Sequence, residues 1–249
     1  MKLRDKVVIV TGSARGLGRE YALRFSSEGA KVVVCDVLDC RETAREIESR
    51  RGKVLSLITD VSSEESTVEM AKKTVERFGR IDVLVNNAAI FGGIALKPFY
   101  EITVDEWDKL MAVNLKGVWL CCKAVFPFMK EQGKGKIINI ASAVAFSGAD
   151  EFIHYTTSKG GVVSFTRALA RALGDYNINV NAIAPGLIQT KATLDMASPE
   201  VIEASIAGQC FKWRQEPEYL VGTVVFLASE ESDFVTGQTI VVDGGGILH

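Results

Sequence analysis

The stretch HYTTSKGG places a phenol and an amine at a spacing that can support proton transfer. Tyr155 precedes Lys159 by four residues, so on a helix their Cβ atoms would lie about 5 to 6 Å apart on one face. An isolated tyrosine has a pKa near 10 and is a poor acid or base at neutral pH. A lysine cation about 6 Å away would favour the phenolate by roughly 2 to 3 kcal/mol at an effective dielectric of 20, or about two pKa units. His154 would point to another side of the helix, so we expect it to be structural or at a pocket edge.

A glycine-rich turn near the start of the chain is the second candidate for chemistry. In VVIVTGSARGLGRE, glycines 12, 16 and 18 lie between a strand-like run and a helix-like run. Glycine permits positive φ and lets the backbone approach a pyrophosphate, whose charge meets the N–H groups at the start of a helix. Asp36 follows Gly18 by 18 residues, close to the ~20 at which an acidic residue binds the adenosine ribose. The pattern predicts a dinucleotide site.

Asp36 also bears on which nicotinamide cofactor binds. A carboxylate that accepts hydrogen bonds from a ribose 2′-hydroxyl would repel a 2′-phosphate by several kcal/mol at contact distance. This favours NAD over NADP. Arg15 argues the other way, because a cation beside the turn could pair with that phosphate, but an arginine at the rim can also reach solvent or stack on adenine.

The elements that must position these residues follow an alternating pattern. Short apolar runs, as expected of strands buried on both faces, alternate with longer amphipathic stretches. Such alternation predicts an α/β fold, a doubly wound parallel sheet of about seven strands with helices on both faces, in one domain over residues 1–249. A segment at about 186–213 lacks a clear period and is expected to cover the site. The predicted strands are 6–10, 31–34, 54–58, 81–85, 136–140, 178–183 and 239–242, and the clearest helices are 41–50, 64–78, 104–130 and 155–173.

Composition excludes several kinds of partner. A net charge of -2 with no block of like charges does not fit a nucleic-acid or membrane-surface binder, so a small molecule is expected. Five cysteines without C-x-x-C spacing indicate reduced thiols in a cytoplasmic protein. The apolar run before Thr11 is too short for a signal peptide or membrane span. With only His154 and His249 available, we expect no metal site.

Several further motifs occur in a fixed order along the chain. The set is TGSARGLG, Asp60-Val61, NNAA at 86–89, Asn114, Ser142, Tyr155, Lys159 and Pro185-Gly186. Together these motifs resemble the short-chain dehydrogenase/reductase family over essentially the whole chain. The closing VTGQTIVVDGGG is similar to that family's last strand, whereas Ala89 departs from the glycine usual after Asn-Asn-Ala.

The resemblance implies a role for each motif residue. Tyr155 would be the acid or base, Lys159 would also bind the nicotinamide ribose, Ser142 would hold the substrate oxygen, and Asn114 would anchor a water chain. The expected cofactor-binding residues are Gly12, Arg15, Gly16, Leu17, Gly18, Asp36, Asp60, Val61, Asn87, Ala88, Tyr155, Lys159, Pro185, Gly186, Ile188 and Thr190. The expected substrate-binding residues are Ser142, Val144, Phe152, Tyr155 and Leu187.

Apolar residues near the predicted site favour a hydrophobic secondary alcohol and its ketone as substrates, with NAD as cofactor. A 3-oxoacyl carrier-protein reductase using NADPH is the main alternative, although Gly133 and Tyr176 stand where such reductases tend to be basic. A non-catalytic NAD-binding scaffold is a further alternative. The resemblance also implies a homotetramer packed through 104–130, 155–173 and the last strand, and the apolar Ile247 and Leu248 are compatible with burial in such an assembly. The apolar residues expected around the substrate are Phe91, Val144, Phe146, Phe152, Leu187, Leu194, Met196, Phe211 and Trp213.

Overall fold

The computed structural model describes residues 1–248 and contains one sheet of seven parallel strands. His249, one of the two histidines weighed above as metal ligands, lies outside the described residues. The strands are β1 Val7–Thr11, β2 Lys31–Asp36, β3 Lys53–Ile58, β4 Val83–Asn86, β5 Gly135–Ile140, β6 Ile178–Pro185 and β7 Thr239–Val242. Their order in the sheet is β3-β2-β1-β4-β5-β6-β7, with every neighbouring pair parallel. This confirms the predicted fold class.

Helices join the strands, and each of the four clearest predicted helices is present. Predicted and observed bounds coincide at five of the eight ends and differ by one or two residues at the other three, and the helix at 64–78 has the predicted bounds. The helices are α1 Gly16–Ser27, α2 Arg41–Ser49, α3 Glu64–Phe78, α4 Val104–Met111, α5 Gly117–Gln132, α6 Val144–Ser147, α7 Ile153–Leu173, α8 Lys191–Met196, α9 Pro199–Gly208 and α10 Glu218–Ala228.

Most of the strands are nearly continuously apolar because both faces of the sheet are covered. Along β1, Val8 and Val10 belong to one apolar cluster with α1 and α10, whereas Ile9 belongs to the other cluster with α3, α5 and α7. This division follows from the alternation of side chains along a strand. A strand with solvent on one face would instead show polar residues at every second position.

Two segments differ from the sequence prediction. The helix expected at 104–130 is interrupted by a π-helical turn, Ala112–Lys116, between α4 and α5. The segment at 186–213, whose residues lack a clear period and for which no helix was predicted, contains α8 and α9. Thr190 and Ser198 cap these two helices, because their hydroxyl groups accept hydrogen bonds from the N–H groups of Thr193 and Val201.

By length and composition alone, the continuous helical stretch Val104–Gln132 could cross a membrane. Half of its most apolar window is buried against the rest of the protein, as is usual for a helix of a protein core.

The turn after β1 packs closely against the loop after β4. A Cβ atom on Gly12 would lie 2.6 Å from the Cα atom of Ala88, and one on Gly18 would lie 2.2 Å from the carbonyl oxygen of Gly12. Gly12 also has a φ of +66°, a left-handed conformation that glycine adopts readily. Two of the three motif glycines are therefore required by packing within the protein.

We expect Gly18→Ala to lower the free energy of unfolding by about 1 to 3 kcal/mol, because the added methyl group overpacks the turn. The matched control is Gly222→Ala in α10, where an added Cβ atom meets nothing within 4 Å. That change should raise stability by about 0.5 to 1 kcal/mol through helix propensity. Chemical denaturation of both variants measures the difference, and equal stabilities would contradict the packing argument.

Candidate active site

A cleft of about 1360 Å³ opens at the carboxyl ends of the central strands, on both sides of the point where the strand order reverses between β1 and β4. Ligands of doubly wound sheets bind at such a point. Every residue predicted to bind cofactor or substrate lines this cleft. Of the predicted catalytic residues, only Asn114 is absent from the lining.

The start of α1 is suited to an anion. Arg15 occupies the N-cap position without a capping hydrogen bond from its side chain, and the first turn contains no acidic residue. Gly16 has a φ of +59°, and a Cβ atom built there would meet nothing within 4 Å. Exposed N–H groups at a helix start attract phosphate. These residues fit the pyrophosphate of a dinucleotide, and Gly16 is the motif glycine that borders open space.

Acidic side chains border the cleft at the ends of β2 and β3. The Asp36 carboxylate accepts hydrogen bonds from the N–H groups of Ala14 (3.1 Å) and Leu38 (3.0 Å), so its oxygens are fixed beside the glycine turn. The Asp60 carboxylate accepts hydrogen bonds from both the N–H and the hydroxyl of Ser62. Val61 packs against Gly117. Asp36 and Asp60 are placed to accept hydrogen bonds from an adenosine moiety.

The Asn87 side chain has a role that the sequence reading missed. Its amide nitrogen donates hydrogen bonds to the carbonyl oxygens of Thr11 (2.9 Å) and Gly12 (3.0 Å). The Thr11 hydroxyl accepts hydrogen bonds from the N–H groups of Asn87 and Ala88, both at 3.0 Å. Asn87 lines the cleft, as predicted, but its amide holds the loop after β4 against the glycine turn.

Tyr155 and Lys159 lie on one face of α7, as their spacing predicts. Both are buried, with 7% and 4% of their surfaces exposed, and the Lys159 Nζ atom lies 5.6 Å from the centre of the tyrosine ring. The Lys159 ammonium group donates a hydrogen bond to the carbonyl oxygen of Ile140 at 2.7 Å. Ser142, just beyond β5, lines the same part of the cleft and hydrogen-bonds with Tyr155.

Asn114 connects two parts of the site from within the π-helical turn. Its side-chain oxygen accepts a hydrogen bond from the N–H of Ile90 (2.7 Å), and its nitrogen donates to the carbonyl oxygen of Ile90 (3.1 Å) and to the Ser158 hydroxyl (3.4 Å). The Ser158 hydroxyl donates to the carbonyl oxygen of Tyr155 at 2.7 Å. Since Asn114 is 99% buried, its side chain positions the loop after β4 and the start of α7. Sequence reasoning missed Ser158.

Burial changes the pKa values that the spacing alone predicted. Loss of hydration raises the pKa of Tyr155 well above its ordinary value, and the hydrogen bond with Ser142 offsets only part of this. The same cause lowers the pKa of Lys159 to about 8. The lower tyrosine pKa predicted from the Lys159 spacing is therefore not found in the protein alone, where desolvation by burial is the largest cause of the shift.

His154 does not line the cleft and is buried, with no hydrogen-bond partner for its Nδ1 atom. Desolvation lowers its pKa; nearby Glu106, which pairs with Lys97 at 2.7 Å, opposes that shift. It is therefore not at the pocket edge and fits the structural alternative. Among residues 1–248 there is no cluster of histidine, cysteine and acidic side chains suited to a metal ion.

The substrate end of the cleft is formed partly by the segment that contains α8 and α9. An isolated bridge between Ile188 and Gln215 anchors this segment, and the Gln215 side chain donates a hydrogen bond to the carbonyl oxygen of Val242 at 2.6 Å. Of the nine apolar residues expected around the substrate, the cleft is lined by Phe91, Val144, Phe152, Leu187 and Met196. The four outside the lining are Phe146, Leu194, Phe211 and Trp213.

The chain's last residues also contribute to the cleft. The Asp243 carboxylate accepts hydrogen bonds from the N–H groups of Gly245, Gly246 and Ile247, and Asp243, Gly246 and Ile247 line the cleft. The DGGG sequence was a signal for this turn. Ile247 borders the cleft, and Leu248 is exposed in the single chain; their burial in an assembly stays a prediction.

The fold and site together define a dinucleotide-dependent oxidoreductase, and comparisons with known proteins agree. The sequence model of a family described as enoyl-(acyl carrier protein) reductase matches residues 12–246. The chain is 40% identical to the (2S)-[(R)-hydroxy(phenyl)methyl]succinyl-CoA dehydrogenase subunit BbsD of Thauera aromatica, covering 100% of this chain and 99% of that protein. It is 38% identical to the 3-oxoacyl-[acyl-carrier-protein] reductase of Thermotoga maritima, covering 100% of each.

A solved structure agrees as well. Levodione reductase superposes with a TM-score of 0.88 at 35% identity, covering 97% of each chain. The chain belongs to the short-chain dehydrogenase/reductase family, whose members are oxidoreductases that use nicotinamide cofactors.

We expect Lys159→Met to stabilise the protein at neutral pH in the absence of added nucleotide. Because burial lowers the pKa of Lys159 from 10.5 to about 8, the unfolded chain binds this proton more tightly than the folded chain between those values. Below pH 8 the buried charge costs about 3 kcal/mol. This cost should disappear as the pH rises towards 10.5.

Denaturant unfolding at pH 7, 8.5 and 10 measures this effect. The gain from Lys159→Met should be greatest at pH 7 and should fall to about a quarter of that value at pH 10. Lys191→Met is the control, because the Lys191 side chain is 85% exposed and its removal should give no comparable pH dependence. A Lys159→Met variant less stable than the wild type at pH 7 would contradict the expected cost of burial.

Proposed function

We propose that the protein transfers a hydride between NAD(H) and a neutral, apolar secondary alcohol or its ketone. The observation that carries this proposal is the buried pair Tyr155 and Lys159 beside Ser142, in a cleft with Phe91, Val144 and Phe152. The group provides a proton donor or acceptor and a hydroxyl for the substrate oxygen. The apolar residues provide a surface suited to an uncharged substrate.

The chain's own residues would have the following roles in the reaction. Ser142 holds the substrate oxygen beside the Tyr155 hydroxyl, which donates a proton when a ketone is reduced and accepts one when an alcohol is oxidised. The Lys159 cation favours the ionised phenol and holds the nicotinamide ribose. Asn114 keeps Tyr155 in place through Ser158. The bound nicotinamide supplies or accepts the hydride.

NAD is proposed over NADP because the Asp36 carboxylate lies at the position for an adenosine ribose. A 2′-phosphate there would approach a negative charge fixed by two backbone N–H groups. Arg15 supports the alternative, since it lines the cleft and its guanidinium group has no hydrogen-bond or ion-pair partner among residues 1–248. Asp36 has the greater weight because its position is fixed, whereas Arg15 is exposed.

A 3-oxoacyl carrier-protein reductase is the second candidate. The 38% identity to the Thermotoga maritima enzyme over the whole chain favours it. A non-catalytic scaffold receives less support, because Tyr155 and Lys159 are both present and buried together. Turnover of a neutral alcohol would favour the proposed function, and turnover of a 3-hydroxyacyl thioester would favour the carrier-protein reductase. Turnover of neither would favour the scaffold.

The homotetramer and the cytoplasmic location stay predictions. One feature supports the proposed assembly: an apolar groove of about 370 Å³ lies between α4 and α7, two of the helices expected to form subunit contacts. Its lining includes Phe99, Ile102, Val104, Trp107 and Ile153. Sedimentation of the purified protein would test this assembly.

We expect Tyr155→Phe to lower kcat by at least about 10³-fold, because the variant lacks the hydroxyl that exchanges the proton. Binding of NADH, followed by fluorescence titration, should change little. Tyr176→Phe is the matched control, because Tyr176 lies at the far end of α7, outside the cleft lining, and should retain activity. Substantial turnover by Tyr155→Phe would refute the assigned role.

We expect Asp36→Asn to raise kcat/KM with NADP relative to NAD by about 10-fold or more, because one repulsion at contact distance is removed. The amide keeps an oxygen that can accept a hydrogen bond from Ala14 or Leu38, which limits damage to the loop. Initial rates with both cofactors over neutral alcohols and 3-hydroxyacyl thioesters measure the change. A wild-type preference for NADP with the thioester would favour the carrier-protein alternative.

A further inference from the structure

Two aromatic rings flank the catalytic phenol. The centre of the Phe91 ring lies 5.3 Å from that of Tyr155 with an interplanar angle of 48°, and the Phe152 ring lies at 5.5 Å and 42°. Phe91 follows β4 and Phe152 immediately precedes α7, so different parts of the chain bring the two rings to Tyr155. The three residues are called the aromatic cluster below.

The two phenylalanines do not belong to the protein core. Neither belongs to the two apolar clusters that cover the faces of the sheet. Both are partly exposed, and both line the cleft. A ring that is exposed within a ligand cleft retains aromatic surface for a ligand, whereas a core ring does not.

The geometry favours a further aromatic ring over a saturated group of similar size. Aromatic rings attract one another at centre distances of about 4.5 to 7 Å in tilted or offset arrangements. The Phe91 and Phe152 rings are tilted relative to the Tyr155 ring and do not stack flat on it, so their faces and edges can also contact a ligand. A saturated ring would gain only the burial of apolar area.

Charges near the aromatic cluster favour a neutral substrate. Lys191 and Asp195 line this end of the cleft but pair with each other at 3.2 Å, so the lysine charge is compensated. Glu151, adjacent to Phe152 in the chain, is an exposed carboxylate in the lining and would repel an acid.

We propose that the substrate carries an aryl group, or another flat unsaturated ring, on the carbon that exchanges the hydride, and that Phe91 and Phe152 select this ring. The inference rests on the proposed function and specifies its substrate class as neutral aryl carbinols and aryl ketones.

The test compares 1-phenylethanol with 1-cyclohexylethanol, each enantiomer with NAD and with NADP. Conjugation alters the reactivity of the benzylic carbon itself, so the deciding quantity is the change in the ratio of the two kcat/KM values between variants. Phe91→Leu and Phe152→Leu keep apolar side chains but remove the rings. Each should lower the phenyl-to-cyclohexyl ratio by about 3- to 10-fold, as expected from the loss of one aromatic contact.

Phe211→Leu is the matched control, because this ring is exposed outside the cleft lining and stacks on Trp213 at 4.5 Å. Its ratio should equal that of the wild type. A variant that merely displaces Tyr155 would lower both kcat/KM values equally and leave their ratio unchanged. An unchanged ratio in both Phe91→Leu and Phe152→Leu would overturn the inference. Turnover of cyclohexylethanol with an unchanged ratio leaves the proposed function standing. Turnover of 3-hydroxyacyl thioesters alone overturns both.

Discussion

The two hydrogen bonds from the Asn87 amide to the carbonyl oxygens of Thr11 and Gly12 join the nucleotide half of the cleft to the catalytic half. The loop that they fix continues to Ile90, whose backbone is held on both sides by Asn114, and then to Phe91, which contacts Tyr155. The loop after β4 therefore connects the glycine turn, the π-helical turn and the start of α7. A shift of this loop would move cofactor-binding and proton-transferring groups together.

The catalytic pair also depends on how little water reaches it. The Lys159 ammonium group has one carbonyl partner and belongs to a residue that is only 4% exposed, so its burial lowers the stability of the fold. Burial of the Tyr155 phenol, which raises the pKa of that group, is also unfavourable. Such groups persist where a site requires them, and both lie at the centre of the cleft. The stability cost at Lys159 and the proposed chemistry have the same physical origin.

The sequence predicted the parts of the structure that depend on local pattern. Continuous apolar runs located all seven strands, and the order of strands and helices led to the parallel sheet. Motif residues far apart in the chain, such as Gly12, Asp36 and Tyr155, line one cleft as expected. These predictions succeeded because β-strand burial and the glycine turn are determined by residues close in sequence.

Features that arise from tertiary packing were not predicted. Nothing in the residues at 112–116 marks a π-helical turn, since its register is set by the bonds of Asn114 to Ile90 and Ser158. Short helices α8 and α9 were missed because their apolar residues are too few for a clear period. The direction of the Tyr155 pKa shift required knowledge of burial, which spacing alone does not provide.

The anchoring of the segment that carries α8 and α9 has an evolutionary consequence. The bridge between Ile188 and Gln215 and the hydrogen bond from Gln215 to Val242 hold the base of this segment. Met196 and the helices between the anchors can therefore be exchanged as a unit, while the glycine turn and the Tyr155–Lys159 pair keep their own supports. A scaffold divided in this way can acquire a new substrate by mutation of one surface segment, without redesign of its redox chemistry.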